Sequence, residues 1–257
     1  MSDDDDEARR FAAEHSHYSE DLPFWRAHAA RLGSPVLDLG AATGRVAIAL
    51  ARDGHEVWAL DRSAAMLAEL GRLLASEDAA VAARVHPVRG ELQDLSLDRR
   101  FRLVIVAMNT LQVLTEPEDR LAALRAVREH LAPGGELIFD VALPDVPEIE
   151  DSIGVERSGG RHRDPATGEV LEHSAWYDAW DAASHTLTFT LRIRSLDGDG
   201  TVREALRGHR VHLFTPRELA GLLARAGLEQ VEVSGGFDGS PLRPGGERQV
   251  HRARVAS

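Results

Sequence analysis

Hydrophobic and polar positions follow two different rhythms along this chain, and the change between them divides it. Pro35 to Leu39 is a short apolar run interrupted by Asp38, the pattern of a buried strand. Val46 to Ala51 reads as the apolar face of a helix that stops at Gly54. Glu56 to Leu60 predicts a second strand ending in Asp61, and Ser63 is placed to cap a helix running through Met66, Leu67 and Leu70. Further strands are expected near Val85 to Arg89 and at Leu103 to Met108. A helix opened by Thr115 and closed at Ala132-Pro133-Gly134-Gly135 then leads to a strand at Glu136 to Val141. Strands alternating with helices predict an α/β fold built on a Rossmann-like, doubly wound parallel sheet.

Beyond Pro144 the period shortens. Ser174 to Asp178, His185 to Ser195 and Thr201 to Leu213 read as strands joined by turns, notably LDGDG at Leu196 to Gly200. Leu187, Phe189, Leu191 and Ile193 alternate with threonines and arginines, so one face is buried and the other is wet or lines a pocket. Thr215-Pro216-Arg217-Glu218 is a capping box that opens a helix ending at Gly227. Strands at Glu229 to Ser234 and Gln249 to Val255 have no helix between them and should pair as an antiparallel hairpin. The expected organisation is therefore a Rossmann-like domain over residues 34–144 and 214–257, with an inserted antiparallel β-sheet lid over 145–213. Residues 1–33 should form a helical preface, broken near Pro23, with Ser2 to Asp6 a disordered acidic tail.

Composition narrows the chemistry. Of 257 residues, 42 are acidic and 30 basic, a formal charge of −12 that suits neither a nucleic-acid partner nor an anionic surface. Every basic residue is arginine, which excludes a Schiff-base lysine and a phosphate-loop lysine. The absence of cysteine excludes thiol catalysis, disulfides and thiolate metal sites. No apolar run is long enough to span a membrane and no signal peptide is evident, so a cytoplasmic protein, monomer or homodimer, is expected.

LDLGAATGR, Leu37 to Arg45, carries the chemistry: an acid at a strand end, then a loop of small residues, then a helix N-terminus. A dinucleotide fingerprint needs small residues at its first, third and sixth positions. Here those are Gly40, Ala42 and Arg45, and the arginine does not fit. The stretch VLDLGAATGRVAIALA instead resembles the first motif of class I S-adenosylmethionine-dependent methyltransferases. EVWALDRSAAML is similar to their second motif, and RGELQDL to the loop that flanks adenine. FRLVIVAMNTLQVL and LAPGGELIFDV resemble the fourth strand and the turn before the fifth. HRVHLFTPRELAGLLARAGLEQVEVSGGFDGSPL is similar to the C-terminal part of bacterial small-molecule members that carry an inserted antiparallel sheet. Ala42 stands where the family usually has glycine, which the loop accommodates if the backbone there has negative φ.

The resemblance implies S-adenosyl-L-methionine as cofactor and methyl transfer to a nitrogen or oxygen of a small molecule, with natural-product biosynthesis as the setting it suggests. The alternative is a non-methylating use of the same cofactor, such as cyclisation or elimination. Asp38, Gly40, Ala41 and Gly44 would hold the methionine end, and Asp61, followed by Arg62, the ribose. Met66, Leu92 and Met108 would enclose adenine, with Glu91 or Gln93 reading its edge. A plainer account is that Asp38 and Asp61 cap the adjacent helices and that the methionines pack the core. In-line transfer from a sulfonium needs positioning and dryness more than a base, so no triad is required. Acceptor-side candidates are Tyr18 on the preface, Asn109 after the fourth strand, and His173 and Trp176 on the insert, with His17, Tyr177, His209 and His212 behind them. Trp176 and Tyr177 are strand neighbours and must face opposite ways. No metal site is expected, because HRDP and EHSAW lack ligand spacing.

Overall fold

The computed structural model describes residues 3–15, 18–163, 168, 170–196 and 202–256. Its chain begins with helices α1 (Asp3–His15) and α2 (Leu22–Leu32). It continues as β1 (Val36–Leu39), α3 (Arg45–Arg52), β2 (Val57–Asp61), α4 (Ala64–Leu74), α5 (Ala79–Ala82), β3 (Val85–Arg89) and β4 (Phe101–Val106). A 3₁₀ turn at Thr110–Val113 precedes α6 (Pro117–His130) and β5 (Leu131–Ala142). α7 (Val146–Asp151) and strands β6 (Arg157–Arg163), β7 (Val170–Asp181), β8 (Thr186–Leu196) and β9 (Val202–His212) follow, then α8 (Pro216–Arg225), β10 (Leu228–Ser234) and β11 (Arg248–Val255).

The chain divides into two compact units: Met1–Leu111 with Glu116–Leu143 and Thr215–Ser257, and Gln112–Thr115 with Pro144–Phe214. In the first, seven strands lie in the order β10-β11-β5-β4-β1-β2-β3. All pairs are parallel except those of β11, which runs antiparallel to both β5 and β10 and so closes the sheet with the expected hairpin. β1 and the core of β4 have scarcely any surface, because helices cover both faces of a parallel sheet. Since β1 is flanked by β2 and β4, chain order reverses beside it, and the crevice at the carboxyl ends of β1 and β4 is the place where such folds bind ligands.

Several local expectations change. Asp3 to Asp6 belong to α1 and are not a disordered tail, and Ala8 is fully buried where α1 packs on α4; Ser2 lies outside the described residues. Pro23 does not break a helix but opens α2, where its missing N–H costs nothing. α6 is capped by Glu116, ahead of Pro117, and not by Thr115. β4 ends at Val106, because Met108 and Asn109 adopt positive φ (54° and 62°) and turn the chain.

In the second unit, β6-β7-β8-β9 form an antiparallel sheet. Leu187 and Phe189 pack with Ile149 of α7 and with Tyr177, giving it a small core of its own. Residues 197–200 of the LDGDG turn and His17 lie outside the described residues. Neither β6 nor α7 follows from the periodicity: β6 reads RSGGRHR, with no apolar residue to alternate.

Candidate active site

The loop between β1 and α3 is built for close approach. Gly40 (φ 71°) has the Thr110 methyl where its side chain would be, 2.2 Å from an added Cβ, and Gly44 (φ 84°) has Leu70 at 2.3 Å. Ala42 departs from expectation: its φ is +48°, not negative. The left-handed region costs an L-residue about 1–2 kcal/mol, and glycine there costs about 0.5–1 kcal/mol in unfolded-state entropy. Ala42→Gly should therefore stabilise the protein by about 0.5 kcal/mol, read as a small rise in the urea midpoint at unchanged slope.

What holds the strained loop is Asp61. The Ala42 N–H donates to Asp61 Oδ2 and the Ser63 N–H to Oδ1, each at 2.8 Å, while the N–H groups of Gly40 and Ala41 both donate to the Leu60 carbonyl. One carboxylate thus ties the first loop to the start of α4, where Ser63 Oγ accepts from the Met66 N–H. The Gly90 N–H donates to the Asp61 carbonyl, bringing the Gly90–Gln93 loop alongside with Glu91 half-buried and Leu92 buried. Gln93 Oε1 is buried there with no hydrogen-bond donor.

Asp38 is 2% exposed and lies beneath the loop. The nearby Arg45 and the Ala47 N–H favour its ionised form but do not offset burial, which pushes its pKa up to about 7. Asp140, 1% exposed on β5, is likewise raised to about 6 by burial, against Arg248 and the Met108 N–H, which donates to Oδ1 at 2.8 Å. A pKa raised above its unfolded value means that the native state binds more protons between about pH 4 and 7, so this contribution to stability falls as pH rises through that window. Asp38→Asn keeps an acceptor for Ala47 and removes the titration. Urea midpoints at pH 5 and 7 should differ less in the variant than in the wild type.

The N-terminal segment is fastened onto this loop. Arg45 donates to both oxygens of Asp21 (2.6 and 2.7 Å) and to the Tyr18 carbonyl (3.1 Å), with its guanidinium 4.9 Å from the Tyr18 ring centre. Asp21 has no exposed surface and also accepts from Trp25 Nε1 at 2.8 Å. From β11, Arg248 donates to the Tyr18 hydroxyl at 3.3 Å.

The first unit therefore brings together Tyr18, Asp38, Gly40, Ala41, Gly44 and Asp61, linked through Arg45 and Asp61. Met66 lies in the first turn of α4, Arg62 is exposed just before that helix, and Met108 and Asn109 sit exposed on the turn after β4. His173 and Trp176 lie in the second unit on β7. His173 is buried opposite β6. Trp176 points away from Tyr177, with Arg192 4.9 Å from its ring and its Nε1 donating to Asp178. A polar groove of about 540 Å³ on this sheet is lined by Glu156, Arg161, His173, Ser174 and Arg192, among others. Sequence reasoning missed Asp21, Asp140 and Arg248. The one available signal was Asp140, a charge after the apolar run Leu137–Phe139 of a strand.

The set suits a cationic adenosyl cofactor. A buried carboxylate with too little positive charge near it accommodates an ammonium, and a buried acceptor without a donor accommodates an amino group.

Residues 36–135 match a family model described as a methyltransferase domain. Cypemycin N-terminal methyltransferase of a Streptomyces species is 30% identical over 210 residues, covering 81% of this chain and 78% of that protein. Carboxy-S-adenosyl-L-methionine synthase of Pseudomonas entomophila is 35% identical over 139 residues, 52% of this chain and 56% of that one. The structure of the CcbJ methyltransferase from Streptomyces caelestis superposes with a TM-score of 0.73 at 28% identity, over 92% of this chain and 95% of that chain.

Proposed function

Because this chain belongs to the class I S-adenosylmethionine-dependent methyltransferases, we propose that it methylates an amine nitrogen of a small molecule or short peptide, of natural-product type. The observation that carries the choice of nitrogen is the relative named for methylating an amino terminus, whose match extends over most of both chains. An oxygen acceptor is the lesser form of the same reading.

S-adenosylmethionine supplies a methyl group activated on a sulfonium. Asp38 would meet its ammonium, Asp61 its ribose hydroxyls through the lone pairs left over from Ala42 and Ser63, and Gln93 an adenine donor. Tyr18 and Asn109 would orient the acceptor. Met108 offers an apolar surface, 36% exposed, that would exclude water from the reacting atoms. A neutral amine already has its lone pair, so these residues need only hold it in line, and the proton released afterwards passes to solvent.

The test is incubation with S-adenosylmethionine and a panel of free and N-acetylated short peptides, amino sugars and phenols. A methyl gain on the free amines with matching S-adenosylhomocysteine supports the reading, and methylation confined to hydroxyls refutes the choice of nitrogen. The synthase match favours a second reading, in which the cofactor itself is altered, but it covers only about half of either chain. A modified cofactor with no S-adenosylhomocysteine would identify that reaction.

A further inference from the structure

Arg248 and Asp140 have no part in cofactor binding as outlined above, yet they meet at the carboxyl edge of the sheet. They are cross-strand diagonal neighbours: Asp140 lies opposite Val250, and Arg248 is two residues along β11 on the same face. Arg248 Nε is 3.8 Å from Asp140 Oδ2, and its guanidinium rests 4.5 Å from the centre of the Phe237 ring, which packs on Phe24 and Trp25. The same guanidinium donates to the Tyr18 hydroxyl, and Asp140 accepts from the Met108 N–H. Its other oxygen faces the arginine, so a single carboxylate joins the two contacts.

We propose that Arg248 and Asp140 are positioning residues for methyl transfer, coupling Tyr18 to the Met108–Asn109 turn so that both are presented to the acceptor as one unit. The inference rests on the acceptor-side roles given to Tyr18 and Asn109 above. Its physical reason is strain. Two successive non-glycine residues with positive φ are costly and persist only where something over-determines them. The bond from the Met108 N–H to a buried carboxylate does so, and Arg248 supplies the positive charge that favours the ionised form of that acceptor. Because Arg248 donates to the Tyr18 oxygen, the phenol's own proton is left to point elsewhere, toward an oxygen or nitrogen of the acceptor molecule.

The test follows amide exchange at Met108 by NMR on the full chain, beside calorimetric titration of S-adenosylhomocysteine. Turnover is measured with a free-amino-terminus peptide as probe. Arg248→Gln and Asp140→Ala should each speed exchange at Met108 by about tenfold or more and lower kcat by a similar factor, with KM for S-adenosylmethionine held within about twofold. Asp140→Asn, which keeps an oxygen for the Met108 N–H but turns its NH₂ toward Arg248, should bring Met108 exchange back to within about threefold of wild type while kcat stays lowered. General unfolding would instead speed exchange throughout β1 and β4, and Arg248→Lys, which retains the charge, controls for it. Normal S-adenosylhomocysteine binding with Met108 exchange unmoved by Arg248→Gln overturns the coupling alone. Absence of S-adenosylhomocysteine binding in the wild type overturns the cofactor placement, and the exchange result then stands or falls separately. If the wild type does not methylate the peptide, exchange and its rescue by Asp140→Asn decide.

Discussion

Asp61→Ala is expected to weaken S-adenosylmethionine and S-adenosylhomocysteine binding by roughly 10- to 100-fold, the equivalent of about 1–3 kcal/mol, in calorimetric titration. Two losses add. The first is direct, because the ribose hydroxyls would lose their acceptor. The second is built into the free protein: without the carboxylate, the N–H groups of Ala42 and Ser63 have no partner, and Ala42 is no longer held at positive φ. Asp61→Asn separates them poorly but informatively. An amide has one oxygen for two inward-pointing N–H groups, so its NH₂ must face one of them, and it too should bind weakly. Equal loss for both ligands would place the effect on their shared adenosine. Binding unchanged in Asp61→Ala would mean that the carboxylate merely staples the loop to α4.

The loops of the candidate site were legible because their features are local. A strand ending in an acid, a loop whose glycines have no room for a side chain, and a serine cap three residues before Met66 all lie within short windows of sequence. Asp38 and Asp61 were singled out in this way, each at a strand end. What was not legible depends on pairing across the chain. Asp21 looks like any acid before a Leu-Pro helix start, and only its meeting with Arg45, 24 residues on, explains why it is buried. Arg45 was read as a residue that spoils a dinucleotide motif and as the end of the methyltransferase first motif, and neither reading shows that it anchors the N-terminal segment. Arg248 and Tyr18 are separated by 230 positions, and no periodicity links them. The sign of φ at Ala42 was equally hidden: alanine adopts positive φ only where something else holds it there, and the holder, Asp61, is on the next strand. For β6 the difficulty was compositional, since an edge strand of arginine, glycine and histidine pairs through its backbone and offers no hydrophobic alternation to detect.

Asp21→Ala should cost about 3–5 kcal/mol of stability, the largest single-residue effect expected outside the apolar core. Asp21 is fully buried and the Arg45 side chain is 14% exposed, so removing the carboxylate strands a guanidinium in a nearly dry site and removes the acceptor of Trp25 Nε1 as well. An intact buried pair is itself worth little, because desolvation of both ions offsets most of their attraction. Breaking it is expensive because only one ion is left to bear that cost. The two statements make different predictions and can be separated in one series of urea denaturations. Asp21→Ala and Arg45→Met should each lower the midpoint strongly, while the double variant Asp21→Leu with Arg45→Met should recover most of the loss. Recovery of stability should not bring recovery of function. The double variant no longer donates to the Tyr18 carbonyl or sets a cation beside its ring, so the segment bearing Tyr18 loses its attachment to the glycine loop. Its stability should approach that of the wild type while methyl transfer stays depressed. A double variant as unstable as the singles would show that shape, and not charge, is what the Asp21–Arg45 pair contributes; one that regained full activity would show that Tyr18 needs no such anchor.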